Sequence, residues 1–220
     1  MLHDSVTQEE VVDSESALEF MKEATKLASS ADLEDLSERI TRKSEQFSKL
    51  LSADNLETLK EEEFVLLVRQ IFSIGRKSKR LIEANGFENL RGSMADLLHG
   101  GASLEERFNG FVNWVEGIDE KMRINFAGEL LHFSNPGQYW LWTNWIWDPE
   151  TGSGALPMVV QEGIVIEGNS SAERYRNVGA ALRLVNDVGH AQNISGNTMG
   201  MLGTNLLLAC VHAVYMYTVF

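Results

Sequence analysis

A mostly α-helical fold, an irregular multi-helix domain with a helical N-terminal extension, is predicted by three features of the chain. Apolar residues recur at helical spacing over most of the first 133 residues and again over 171–188. Cap residues and glycine stops bracket these stretches. Only one short region, 158–166, carries β-type patterning. The extension is read as residues 1–51 and the helical domain as 52–220. A chain of 220 residues, 44% hydrophobic and 23% charged, has ordinary globular composition and can bury a sizeable core.

The first helix is predicted over 14–29, where Ala17, Leu18, Met21, Ala24, Leu27 and Ala28 form a stripe behind Asp13 or Ser14 as the cap. The second follows over 32–51, with Leu33, Leu36, Ile40, Phe47, Leu50 and Leu51 on one face. Residues 52–59 read as a connection. Residues 60–74 read as a third helix, with Glu61, Glu62 and Glu63 in its first turn, where the helix dipole favours negative charge, and with Gly75 as its stop. Residues 91–99 are helical and end at Gly100-Gly101. Ser103 and Glu106 have capping-box spacing for a helix reaching about Trp114, and 120–133 form another that stops before Asn135-Pro136. After Pro149 the texture changes. Residues 151–154 are a loop, and the β-branched runs 158–160 and 164–166 around Gln161-Glu162-Gly163 predict a small β-hairpin. Helical spacing returns over 171–188, with Tyr175, Val178, Ala181, Leu182 and Val185 on its apolar face.

The charge is uneven. The net value is −13, and residues 1–64 carry most of it, with 17 acids against 7 bases. This disfavours a nonspecific grip on nucleic-acid phosphates, and makes the N-terminal stretch either a solvated helical face or an acidic docking arm. A lone cysteine, Cys210, excludes an internal disulfide framework and a cysteine-rich zinc site. The opening residues have neither the basic start of a secretory signal nor the arginines of a transit peptide, so a cytoplasmic location is expected. No Asp, Glu, Lys or Arg occurs from 188 to 220, yet the apolar run 206–220 is short for a membrane span and lacks a basic anchor. It is expected to be a helix buried in the fold or in a subunit contact, and membrane association is not expected.

Four groups of residues invite a functional reading. Tyr139, Trp140, Trp142, Trp145 and Trp147 place four of the five tryptophans within eight residues. Core packing explains such a run; the sharper reading is an aromatic surface that anchors a partner, because interfaces draw their energy from a few buried aromatics. Arg69, Arg76, Lys77, Lys79 and Arg80 form the one basic cluster, suited to a solvated face, to pairing within the chain with the acidic arm, or to phosphates. Asp96-x-x-His99 and Glu129-x-x-His132 each put an acid and a histidine on one helical face, as di-iron bundles do, but no further inward carboxylates stand out to complete a metal site. Cys210 lies in an apolar run that hinders thiolate formation, and no phosphate-cradling loop or nucleophile elbow is present. No cofactor is expected.

From about residue 47 to 217 the order DNLETLKEEEF, LLHGGASLEERF, EGIDEKMRINFAGELLHFSNPGQYWLW, ERYRNVGAALRLV resembles a helical domain of restriction and defence-system proteins. It is more distantly similar to helix–hairpin–helix DNA glycosylases. The resemblance implies a hairpin before a helix ending in Leu-His-Phe, then a Pro-x-x-Tyr turn. Two departures bear on chemistry. Gly117-Ile118-Asp119 keeps one glycine of the phosphate-gripping turn and adds an acid, and Thr143 stands where the resemblance implies a carboxylate. The leading expectation is therefore a non-catalytic adaptor or assembly subunit that binds a protein partner or a second copy of itself. The alternatives are a nucleic-acid-associated component of a restriction or defence system, and a carboxylate/histidine metal enzyme.

Overall fold

Caps set where the helices begin. A computed structural model describes residues 13–27, 29–161, 164, 166–191 and 200–219, with ten α-helices among them. They are α1 (Ser14–Leu27), α2 (Ser30–Leu50), α3 (Ala53–Glu57), α4 (Glu61–Val68), α5 (Ser78–Asn85), α6 (Phe87–His99), α7 (Leu104–Trp114), α8 (Glu120–Ser134), α9 (Ser171–Ala191) and α10 (Met201–Val219). Asp13 opens α1 by accepting the Ser16 N–H at 2.9 Å, and these bonds hold its carboxyl below the usual range. Ser103 and Glu106 form the expected reciprocal box on α7, with bonds of 3.2 and 3.0 Å. Asp119 caps α8 by accepting the Met122 N–H at 2.8 Å.

The chain forms two compact units. The first takes its described residues from Met1–Ile40, Asn144–Glu167 and Asn177–Phe220. In it α1 packs along α10, where buried Cys210 and Val214 meet Phe20 and Leu33. Asp13 donates its N–H to the Val159 carbonyl at 3.0 Å, and the Thr204 hydroxyl on α10 donates to Asn186 Oδ1 on α9 at 3.0 Å. The second unit comprises Thr41–Thr143 and Gly168–Arg176. There α6 is the hub, touching α3, α5, α7 and α8. Its core holds Phe47, Phe64, Leu67, Ile71, Leu81, Leu90, Phe108 and Phe126, all essentially without solvent contact.

Several expectations need correction. The β-hairpin near 158–166 does not form among the described residues: Leu156–Met158 is a 3-10 helix with Pro157 in its first turn, and an isolated bridge pairs Asp148 with Ser153. Proline has a fixed φ and no N–H, which suits a helical first turn and removes a ladder donor. Residues 162, 163 and 165 of the expected hairpin lie outside the described set. The third helix ends at Val68 rather than Ile74. Past Val68 the chain tightens into turns in which the Gln70, Ile71 and Ile74 N–H groups donate three residues back, to the Leu67, Val68 and Ile71 carbonyls, and Lys43 Nζ donates to the Gln70 carbonyl at 3.0 Å. The connection expected over 52–59 contains the short α3, opened by Ser52, and α5 was not anticipated. The C-terminal expectation holds. Residues 206–219 belong to a helix with Leu207, Leu208, Cys210, Val211 and Val214 buried, and that helix starts earlier, at Met201. No helix of the described residues is long and apolar enough to cross a membrane.

Candidate functional site

The tryptophan run is not helical, and most of it is core. In the second unit Trp142 is fully buried and stacked 6.3 Å from Phe108, which in turn stacks 4.6 Å from Tyr175. The Tyr175 hydroxyl donates to the Trp140 carbonyl at 2.9 Å, and burial pushes its ionisation upward. Tyr139 is buried and Trp140 half-buried. In the first unit Trp147 is buried, while half-buried Trp145 lies 5.8 Å from the His212 ring. Burial removes Tyr139, Trp142 and Trp147 from any accessible surface, so the aromatic cluster of this chain is a buried one.

The two acid–histidine pairs go separate ways. His99 Nε2 donates to the Leu51 carbonyl at 2.7 Å, while Asp96 is exposed. Glu129 is buried and takes Lys43 Nζ at 2.5 Å; that ammonium also sits 4.0 Å over the Phe133 ring. His132 is wholly buried and its Nδ1 donates to the Tyr139 carbonyl at 2.7 Å. No group of three metal-ligating side chains occurs among the described residues. Burial also raises the Cys210 thiol, which leaves it a poor nucleophile.

This polar centre titrates. Desolvation chiefly, with Lys43 adding to it and the Tyr139 carbonyl opposing, brings His132 from 6.5 down to about 4. A lowered histidine contributes stability that is whole above 6.5 and is lost as pH falls from there to about 4, a loss of about 3 kcal/mol. Urea unfolding at pH 7.5 and 4.5 should show this loss in the wild type and its absence in His132→Gln. Glu129 is raised by burial, with Lys43 opposing, so its contribution runs the other way, and the difference between the two proteins isolates the histidine.

The basic cluster gives a different picture. Residues 69–76 wind into tight turns between α4 and α5, pinned from inside by Ile71 and Ile74, neither of which touches solvent. Between them Phe72 is 100% exposed. In the same stretch of chain Arg69, Arg76, Lys79 and Arg80 are exposed and Lys77 half-buried; Lys79 reaches Glu83 at 3.7 Å. Reading the cluster by charge alone missed Phe72. The signal was Ile71-Phe72-x-Ile74, three apolar residues that one helical face or one turn cannot all bury.

The second feature missed is a cleft of about 830 Å³ along α6 and α7. Its floor includes Gly92 and Gly110, where an added Cβ would meet nothing within 4 Å. Trp114, 40% exposed, stands among its lining residues with Glu88, Asp96 and Glu106. Hydrogen bonds from Ser103 hold the Glu106 carboxyl below its usual range, so it is charged at neutral pH.

The 117–119 turn, expected to depart from a phosphate-gripping one, precedes α8. Gly117 has φ +84°, and a side chain there would strike Ala84 Cβ at 2.9 Å, so glycine is required. The Asp119 carboxylate sits on the N-terminus of α8, the place an anion would take. Comparison with protein-family models, with curated proteins and with solved structures gives no match for this chain.

Proposed function

We propose that this protein is a non-catalytic binding subunit whose contact with another protein is made by the 69–80 turn, with Phe72 as the anchor. The observation that carries the reading is the fully exposed phenylalanine on a turn pinned by two buried isoleucines, in a stretch that also carries exposed arginines. Leaving a phenylalanine in water forgoes about 1.5–3 kcal/mol of burial, and a partner that covers it recovers that energy. Guanidinium groups in that stretch pair bidentately with carboxylates, so the partner surface is acidic around an apolar pocket. Native-extract affinity capture with the wild type, Phe72→Ser and the Arg69→Glu/Arg76→Glu double variant tests this. Proteins recovered by the wild type should be lost with both variants; equal recovery on all three would overturn the reading.

The same observation favours a second reading, single-stranded nucleic acid, because an exposed aromatic beside arginines can stack a base. Filter binding in a salt series separates the two. Affinity for single-stranded DNA that falls steeply with salt and vanishes in Phe72→Ser would move the assignment. The Asp119 cap and the net charge of −13 weigh against it.

A further inference from the structure

Resting on the reading of the 69–80 turn as a contact surface, we infer that its partner is a second copy of this chain, with Phe72 of one copy seated in the α6/α7 cleft of the next. The two surfaces are complementary in charge. The turn presents one apolar ring among Arg69, Arg76, Lys79 and Arg80. The cleft presents an indole edge, Trp114, among the carboxylates of Glu88, Asp96 and Glu106. Its floor is kept open by Gly92 and Gly110, both inside helices, where glycine costs roughly 1 kcal/mol relative to alanine and no tight contact demands it. The cation lining the cleft, Arg107, is committed to the Leu97 and Ala102 carbonyls and leaves the carboxylates to an incoming guanidinium. Glu88 is paired with Arg91, a rim contact on a mostly exposed carboxylate that a second arginine can share.

Turn and cleft belong to the same unit, and in that unit the Phe72 ring stands free in solvent. A copy therefore does not fill its own cleft, and the contact joins unlike surfaces of two copies. Repeated from copy to copy such a contact gives open chains or a closed ring, and returned between the same two copies it gives a two-fold dimer in which the contact is made twice.

Light scattering over a concentration series tests this with three proteins: wild type, Phe72→Asp, and Gly110→Trp, which fills the cleft. The wild type should gain mass with concentration. Each variant alone should stay monomeric, its association weakened by about thirtyfold or more, as expected for a buried aromatic anchor. An equimolar mixture of the two should recover association and stop at a dimer, because one intact turn and one intact cleft remain. Thermal melting checks that Gly110→Trp is folded, and the Glu88→Lys/Asp96→Lys variant replaces it if it is not. A wild type that is monomeric throughout, or a mixture that does not pair while the wild type associates, overturns the inference. If the wild type is monomeric but captures another protein through Phe72, self-docking falls and the binding-subunit reading stands. If Phe72→Asp changes neither mass nor capture, both fall.

Discussion

Gly128→Ala should cost more than about 4 kcal/mol or prevent folding altogether, the largest effect expected of any single methyl group in the second unit. A Cβ at Gly128 would lie 2.2 Å from the Trp142 carbonyl oxygen and 3.2 Å from its carbon. Both obstacles are backbone, so no side-chain rotation relieves the overlap; α8 and the 139–143 segment would have to part. Parting them opens the stack of Trp142, Phe108 and Tyr175. Gly92→Ala is the matched control. There the new methyl meets nothing within 4 Å, and the protein should gain about 0.5–1 kcal/mol from helix propensity. Thermal and urea unfolding of the two variants side by side checks both values. A Gly128→Ala protein with wild-type stability would mean that the crossing of α8 and Trp142 is wrong.

Lys43→Met should cost about 3–5 kcal/mol, because it strands a buried carboxylate. The Lys43 and Glu129 side chains are only 19% and 9% exposed, and the same ammonium holds the Gln70 carbonyl. Adding Glu129→Leu to the variant should restore most of the loss, since an apolar pair removes the charge that had lost its partner. The loss is also expected to depend on pH. Burial raises Glu129, so the protonated form is the one the fold tolerates; the deficit of Lys43→Met grows as pH rises and shrinks toward pH 4.5. Urea midpoints at pH 5 and pH 8 for the single and double variants measure this. A single variant with an unchanged midpoint at pH 8 would show that the pair contributes nothing.

Local signals were legible where one stretch of chain decides the outcome. The Ser103–Glu106 box, the stop at Gly100 and the helix over 120–133 all depend on neighbours within four residues. Distant partners were not legible. Lys43 and Glu129 are separated by 86 residues, and nothing in either segment announces the other. The same ammonium donates to the Gln70 carbonyl just past the end of α4 at Val68, another contact that neither segment announces. Helix α5 was hidden for a related reason. It buries Leu81 alone, too little apolar pattern over eight residues to stand out. The tryptophan run was conspicuous in composition, but composition does not say which side of a ring faces water. Phe72 was unremarkable in sequence and proved the most exposed large apolar side chain of the described residues.

The packing of α1 on α10 also dictates an order of events while the chain is being made. Synthesis runs from the N-terminus, so α1 is finished long before the residues 201–219 that will cover its Phe20. Residues 41–143, which supply most of the second unit in one run, can close their core as they emerge, needing only 168–176 to finish. Helix α1 must wait through that whole interval with its apolar face bare. Its exposed acids, Glu15 and Glu19 among them, give the waiting helix a charge of the kind that disfavours association with neighbouring chains. The acidity of the N-terminal segment then bears on the roughly 10–40 s of synthesis before the protein is complete as well as on its mature surface.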